Sequence, residues 1–194
     1  MTIDRLTHSE AEHRLDGFVR AGGAHQVATV NLDFLSIGSR NPEFRALVNE
    51  ADMVTADGTP VRWAARYLGS SLPARITGPD LIDMSVRHSL THGSSIFFLG
   101  AAPGIAAEAA DRLASTHGRF SVAGIYAPPI GPLAGEEDMR IRRMIRDARP
   151  DMLFVAFGCP KQDFWIRDHR DLGVPVAVGI GGSFDYLSGR IRRA

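Results

Sequence analysis

Short apolar runs alternate with stretches of helical periodicity along almost the whole of this sequence. The apolar runs predict strands at residues 25–31, 52–56, 94–100, 120–127, 151–158 and 174–182. Helical periodicity predicts helices over residues 9–23, 42–51, 60–69, 78–93, 103–118, 137–149 and 160–173, and a Pro- and Gly-rich stretch predicts a loop at 126–138. Several runs are apolar throughout, which is typical of strands buried on both faces. The pattern therefore predicts an α/β protein with a Rossmann-like, doubly wound, mainly parallel sheet of about six strands and helices on both faces.

The length and charge of the chain narrow its class further. Its 194 residues suit one domain over 1–194, and its 22 basic residues balance its 22 acidic ones. No net field attracts nucleic acid, so no nucleic-acid partner is expected. The single cysteine, Cys159, excludes an internal disulfide, and we expect a small buried residue there rather than a catalytic thiol. The sequence has no apolar run near the roughly 18 residues of a membrane helix and no signal-peptide pattern, which predicts a cytoplasmic location.

Polar and glycine-rich residues follow the predicted strands at their carboxyl ends. These ends read TVN at 29–31, ADGT at 56–59, LGAAPG at 99–104, FGCPKQ at 157–162 and GIGGSFD at 179–185. Ligands bind at this edge of a doubly wound sheet, and a glycine before a helix start offers free N–H groups to phosphate. Each stretch alone could be an ordinary turn, but glycine at four ends of one edge favours a phosphate-bearing ligand. No stretch matches the dinucleotide or Walker A pattern in its proper place, which disfavours NAD or ATP.

Asp57 stands directly after a predicted strand, where it could cap a helix, close a turn or act on a ligand. The sequence by itself leaves these alternatives open. Asp52 begins its strand at the opposite edge and is predicted to be structural, whereas Asp80 lies in the first turn of a helix and could serve the helix dipole alone. His88 and His92 are one helical turn apart, but a shared helix face explains them more simply than a metal site does. We therefore expect no metal.

Six segments together resemble one family of bacterial enzymes. They are TVNLDFL (29–35), ADMVTADGTPVRWAARYLG (51–69), RITGPDL (75–81), IFFLGAAPG (96–104), PDMLFVAFGCPKQDFW (150–165) and VGIGGSFDYLSGRIRRA (178–194). From about residue 25 to its last residue, the sequence is similar to the WecG/TagA/CpsF glycosyltransferases, known as glycosyltransferase family twenty-six. The resemblance implies an inverting enzyme without metal or cofactor. It would move an N-acetylmannosamine-type sugar from a UDP donor to a polyprenyl-diphosphate-linked N-acetylglucosamine, a step in the synthesis of teichoic acids and other cell-surface polysaccharides.

The resemblance also implies roles for residues at the predicted ligand edge. Asp57 would be the general base for the acceptor hydroxyl, and Thr29 a second catalytic residue. Arg75 would stabilise the leaving diphosphate, and Gln162 and Asp185 would belong to the nucleotide site. The residues expected to contact substrate are Asn31, Gly58, Thr59, Arg75, Thr77, Gly78, Asp80, Gly100, Pro103, Gly104, Gly158, Pro160, Gln162, Gly181, Gly182, Ser183 and Asp185.

The sequence departs from the family pattern at its end. Family members usually continue past SGRIRRA, whereas this sequence stops at Ala194. The resemblance implies that the absent segment would close the site and touch the inner face of the bacterial membrane, which holds the acceptor. It also implies an exposed apolar face that could join copies into a homo-oligomer. The alternatives are a non-catalytic UDP-sugar-binding or assembly module and a nicotinamide oxidoreductase, and the sequence does not name the sugar.

Overall fold

One parallel sheet organises the chain, of which the computed structural model describes residues 1–129, 131 and 133–191. Ile130 and Pro132 of the predicted loop, and residues 192–194 of the terminal GRIRRA, lie outside the described residues. The strands are β1 His25–Val30, β2 Met53–Ala56, β3 Ser95–Gly100, β4 Ser121–Tyr126, β5 Met152–Ala156 and β6 Val176–Gly179. Their order across the sheet is β2-β1-β6-β5-β3-β4, and every neighbouring pair is parallel. The predicted α/β fold is confirmed.

Helices connect the strands, and most of them match the predicted segments. They are α1 His8–Ala21, α2 Leu32–Arg40, α3 Pro42–Asn49, α4 Thr59–Tyr67, α5 Gly78–His92, α6 Ile105–His117, α7 Glu136–Ala148, α8 Lys161–Asp168 and α9 Ser183–Leu187, with a 3-10 helix at Arg170–Leu172. The sequence pattern predicts neither α2 nor α9. Helix α2 forms because Asn31 caps it and Phe34 is buried beneath it, whereas α9 has only 5 residues and shows no helical period.

Alternate side chains of the strands pack against helices on opposite faces of the sheet. Phe98 and Phe154 belong to the core that also contains residues of α1, α5, α6 and α9. Leu99 and Leu153 point the other way and pack against α7 and α8, and Val30 lies on that same face against α2 and α3. Burial of both faces explains why these strands are apolar throughout, as the prediction assumed.

The connections after β1 and β6 leave the sheet on opposite faces. Helix α2 packs Phe34 onto one face, and α9 packs Phe184 onto the other. Because β1 and β6 are neighbours, their diverging connections open a crevice at the carboxyl edge of the sheet. The fold therefore places any ligand site of the doubly wound kind between these two strands.

Candidate active site

A cleft of about 510 Å³ opens at the carboxyl ends of β1, β2, β5 and β6. Its size is in the range of small-molecule sites, which are commonly about 300–1,000 Å³. Eight of the residues predicted to be catalytic or to contact substrate line it together: Thr29, Asn31, Asp57, Gly158, Gln162, Gly181, Gly182 and Ser183. Residues far apart in sequence therefore meet in one place, as the convergence of parallel strand ends requires.

Asp57 lies at the turn that joins β2 to α4. Its backbone N–H donates to the carbonyl of Val30 across 2.8 Å, which holds the turn against the end of β1. The N-cap position of α4 belongs to Gly58, whose φ of 115° is in the region that favours glycine. Asp57 is therefore not the N-cap of α4, which was one of the roles that the sequence allowed. Asp57 instead lines the cleft.

The end of β1 contributes a buried hydroxyl and an amide. The Thr29 hydroxyl donates to the carbonyl of Gly179 across 3.2 Å and so connects β1 to β6 above their last paired residues. Asn31 caps α2, because its side-chain oxygen accepts from the N–H groups of Asp33 and Phe34 at 3.0 and 3.1 Å. A Thr oxygen that donates its proton can still accept a hydrogen bond, so Thr29 keeps an acceptor beside the cleft.

Gln162 braces the turn that follows β6. Its side chain is buried, and its oxygen accepts from the N–H of Gly181 across 3.0 Å. A Cβ on Gly179 would stand 2.7 Å from the Gln162 side-chain nitrogen and 3.0 Å from Oδ1 of Asp163. Only glycine permits this approach, and Gly179 is not among the residues that the sequence predicts for the site. The GIGG stretch does mark this residue, because glycine next to a turn often allows close packing. At Gly179 the close neighbours are the side chains behind the turn.

The start of α5 packs against the same turn. Thr77 and Asp80 form a capping box: the Thr77 N–H and hydroxyl donate to the Asp80 carboxylate at 2.8 and 2.7 Å. A Cβ on Gly78 would lie 2.4 Å from the Ser183 hydroxyl oxygen and 3.3 Å from Ile180 Cβ. The TGPD motif therefore fixes α5 tightly onto the β6–α9 turn, and Pro79, the next residue of α5, lines the cleft.

Comparison with known proteins identifies the family. A model described as "Glycosyl transferase WecG/TagA/CpsF family" matches residues 1–194. The chain belongs to this family. It is 32% identical over 169 residues to a Bacillus spizizenii protein named N-acetylglucosaminyldiphosphoundecaprenol N-acetyl-beta-D-mannosaminyltransferase, and 29% identical over 169 residues to a Staphylococcus aureus protein of the same name. The alignments cover 87% of this chain but 64% and 65% of those relatives, so the chain spans just under two thirds of their length.

Several residues that the family resemblance suggested do not line the cleft. Gly100 ends β3, which β5 separates from β6, and a Cβ there would lie 2.6 Å from the Ala156 carbonyl oxygen. Close packing of β3 on β5 therefore accounts for this glycine. Arg75 is exposed and precedes Ile76, whose N–H donates to the carbonyl of Ala56 across 2.9 Å. The suggested residues outside the lining are Gly58, Thr59, Arg75, Thr77, Gly78, Asp80, Gly100, Pro103, Gly104, Pro160 and Asp185, and their contact with substrate stays a prediction.

The cleft also contains residues that sequence reasoning missed. They are Asp33, Phe34, Pro79, Cys159, Ile180 and Tyr186. Asp33, Phe34 and Tyr186 belong to the two helices that the sequence pattern does not predict. The described lining residues include two carboxylates, Asp33 and Asp57, but no Lys, Arg or His. A diphosphate bound here would thus depend on N–H groups and on cations at the rim of the cleft.

Asp163 lies behind the cleft lining with a strongly perturbed pKa. Removal of its carboxyl group from water raises the pKa to about 7, and the Cys159 thiol and the Asp163 backbone N–H offset this effect only in part. Neither carboxyl oxygen has a conventional hydrogen-bond partner among the described residues. Burial, and after it the charges of Asp163 and Asp33, raises the pKa of the Cys159 thiol. The thiol is therefore protonated near neutral pH, which agrees with the expectation of a non-catalytic cysteine even though Cys159 is only half-buried.

One group of three potential metal ligands is present in the described part of the chain, at the opposite edge of the sheet. Ligand atoms of Asp16, His88 and His92 all lie within 4.8 Å of one another. His88 is already hydrogen-bonded, to the Ser94 hydroxyl at 2.7 Å and to Asp16 at 3.1 Å. Asp16 also pairs with Arg20 at 2.9 Å. The hydrogen bond between Asp16 and His88 joins α1 to α5. Asp52, predicted to be structural, likewise accepts from the Gln26 N–H and pairs with Arg170, both at 2.8 Å.

Proposed function

We propose that this chain carries the reaction centre of an inverting, metal-independent glycosyltransferase. It would move an N-acetylmannosamine-type sugar from a UDP donor to a polyprenyl-diphosphate-linked N-acetylglucosamine. The observation that carries the proposal is that Asp57 shares one cleft with the turns at Gly158 and at Gly181–Gly182. Membership of the family and the names of the two relatives support the sugar and the acceptor.

Asp57 would act as the general base. Inversion requires one displacement, in which the acceptor hydroxyl oxygen bonds to the anomeric carbon while the UDP oxygen leaves from the opposite side. The hydroxyl proton passes to the Asp57 carboxylate, which must approach to about 3 Å in the reactive complex. The Val30–Asp57 hydrogen bond anchors this residue at the end of β2, so its position depends on the sheet rather than on a free loop.

The leaving diphosphate would be stabilised by N–H groups and by cations at the rim. Helix α4 begins beside the cleft after Gly58, and no side chain caps its first turn. In α8, by contrast, the N–H groups of Gln162 and Asp163 already donate to the carbonyls of Gly158 and Pro160. Uncapped N–H groups at a helix start favour anions. Lys161 directly precedes the lining residue Gln162, and Arg75 stands four residues before Pro79, which makes these two the candidate rim cations.

The acceptor chemistry implies work at a lipid surface. No helix among the described residues is long and apolar enough to cross a bilayer. We propose that the polyprenyl-diphosphate acceptor is reached by peripheral contact with the membrane that holds it. This contact is part of the proposal, as are the UDP donor and the absence of a metal requirement.

The test is Asp57→Asn in this chain, assayed with UDP-N-acetylmannosamine and a short-chain prenyl-diphosphate-N-acetylglucosamine. We expect donor affinity close to wild type and a rate at least about 100-fold lower, the usual size of a general-base effect. Asp33→Asn is the matched control, because it removes the other carboxylate that lines the cleft. It should slow transfer far less. Wild-type turnover in Asp57→Asn would remove Asp57 from the mechanism. Tight UDP-sugar binding with no transfer by the wild-type chain would instead favour the non-catalytic module.

A further inference from the structure

Helix α4 presents an apolar surface that no described residue covers. Trp63 is 69% exposed, Tyr67 is 91% exposed and Leu68 is 80% exposed. Single exposed apolar residues are ordinary on protein surfaces, but here three large ones fall within six positions, at α4 and its C-cap Leu68. Val61 is the only residue of α4 that is buried. We call this surface, made of Arg62, Trp63, Arg66, Tyr67 and Leu68, the α4 face.

The α4 face projects from the sheet on a closed excursion of the chain. The excursion leaves at Ala56 and returns at Ile76, whose N–H donates to the Ala56 carbonyl across 2.9 Å. A small core of Ala56, Val61 and Leu72 holds its base. Trp63 and Tyr67 are four residues apart and so stand on one side of the helix, and Arg62 and Arg66 follow the same spacing beside them. The helix therefore presents aromatic rings and guanidinium groups to solvent.

The charge of this excursion differs from that of the rest of the chain. Residues 58–79 contain three arginines, Arg62, Arg66 and Arg75, and no acidic residue, although the whole chain has zero net charge. Exposed tryptophan and tyrosine next to arginine are typical of surfaces that rest in a lipid headgroup region. Arginine near an anionic bilayer adds attraction to the burial of the rings.

We propose that the α4 face is a docking surface for an anionic lipid bilayer. This inference rests on the proposed function, because a lipid-linked acceptor must be met at such a surface. The α4 face lies near the cleft along the chain: α4 starts two residues after Asp57, which lines the cleft, and a helix of its nine residues extends about 13 Å from that point. Docking on this face would bring the mouth of the cleft to the depth at which a lipid-linked diphosphate emerges.

A second copy of the chain fits the α4 face less well. In a two-fold symmetric contact, the same patch meets itself, so Arg62 and Arg66 of one copy would approach the same arginines of the other. Asp57, at the start of the excursion, is its one acidic residue and lines the cleft, and residues 58–79 contain no acidic residue that could neutralise these arginines. Like charges brought together at an interface oppose association, whereas the phosphates of an anionic bilayer complement them.

Vesicle flotation tests the proposal with a matched pair of double variants. Trp63→Ala/Arg66→Ser alters the α4 face, and Met139→Ala/Arg143→Ser removes an exposed apolar residue and an exposed arginine from α7. The wild-type chain should bind vesicles of phosphatidylcholine mixed with phosphatidylglycerol and bind pure phosphatidylcholine weakly. The α4 variant should lose about tenfold or more in partitioning, and the α7 variant should retain nearly all of it. A wild-type chain that ignores anionic vesicles, or equal losses in both variants, would overturn the proposal.

Tryptophan fluorescence gives an independent readout, because the chain has two tryptophans and Trp165 is buried. Anionic vesicles should shift Trp63 emission to the blue, and the shift should vanish in Trp63→Phe, which keeps an aromatic ring and vesicle binding. A blue shift that appears without lipid as protein concentration rises would assign the α4 face to self-association and contradict the proposal. Transfer to the short-chain acceptor in detergent-free solution separates this inference from the proposed function: the α4 variant should keep that activity while losing vesicle binding.

Discussion

At the scale of single residues, the buried carboxyl group of Asp163 ties the stability of this chain to pH. Its folded-state pKa is about 7, against a usual value of 3.8. Between these values the folded chain holds a proton that the unfolded chain has released, so the stability that this proton provides is complete at low pH and is lost as pH rises through 7. The difference in pKa corresponds to about 4 kcal/mol.

We therefore expect Asp163→Asn, which is neutral at every pH, to lose less stability than the wild type between about pH 4 and pH 7. Denaturant midpoints measured across this range for both proteins provide the check. The quantity to compare is the slope of stability against pH, because an amide at this position also changes the absolute stability. Parallel pH profiles would mean that Asp163 is ionised in the folded protein.

The same residues show what a sequence can and cannot say about a site. The position of Asp57 directly after an apolar run predicts that it lies at the carboxyl edge of the sheet, and in the structure it lines the cleft. Gly100 ends an equally clear apolar run, yet the absence of a side chain at this residue allows close contact with the Ala156 backbone. The two positions look alike in sequence, because Gly58 follows Asp57 just after β2 and Gly100 ends β3. They differ only in what approaches the glycine, and that depends on strand order.

At the scale of elements, the start of α5 couples a helix cap to the cleft. Its capping box of Thr77 and Asp80 resembles the one that Thr7 and Glu10 form at the start of α1. Thr77→Ala should cost about 0.5–2 kcal/mol of stability, and so should the matched control Thr7→Ala. Only Thr77→Ala should also weaken UDP binding, because Gly78 and Pro79 follow it into contact with the cleft turn. Calorimetry with UDP would show the difference, and unchanged affinity in Thr77→Ala would uncouple this cap from the site.

The elements that the sequence missed have a common physical cause. Helix α2, with glycine and two serines in LDFLSIGSR, has weak helix propensity and depends on the Asn31 cap and the burial of Phe34. Helix α9 is too short for a periodic signal and depends on burial of Phe184 in the core. Both are stabilised by tertiary contacts that a local pattern does not contain. The six strands, by contrast, were predictable because burial on both faces makes each one a continuous apolar run.

At the scale of the whole molecule, the cleft is a product of strand order. Four strand ends meet there only because β6, the last strand in sequence, inserts between β1 and β5. The alternation of strands and helices predicts a parallel sheet, but it gives no order of strands, so the sequence did not reveal that the β3 end would lie outside the cleft. A site made from both ends of the chain exists only in the folded protein.

Any ligand of the cleft should therefore stabilise the fold as a unit. With UDP at a hundredfold excess over its dissociation constant, the folded state gains about 2.7 kcal/mol, which corresponds to a rise in Tm of about 5–11 °C for a chain of this length. Asp57→Asn should keep this rise, whereas Gln162→Ala should lose most of it, because the Gly181 N–H then lacks its partner. ADP is the control ligand, and it should produce little shift if the site selects uridine. EDTA should leave the UDP effect intact, and its abolition by EDTA would show that a bound cation offsets the Asp33 and Asp57 charges in the cleft.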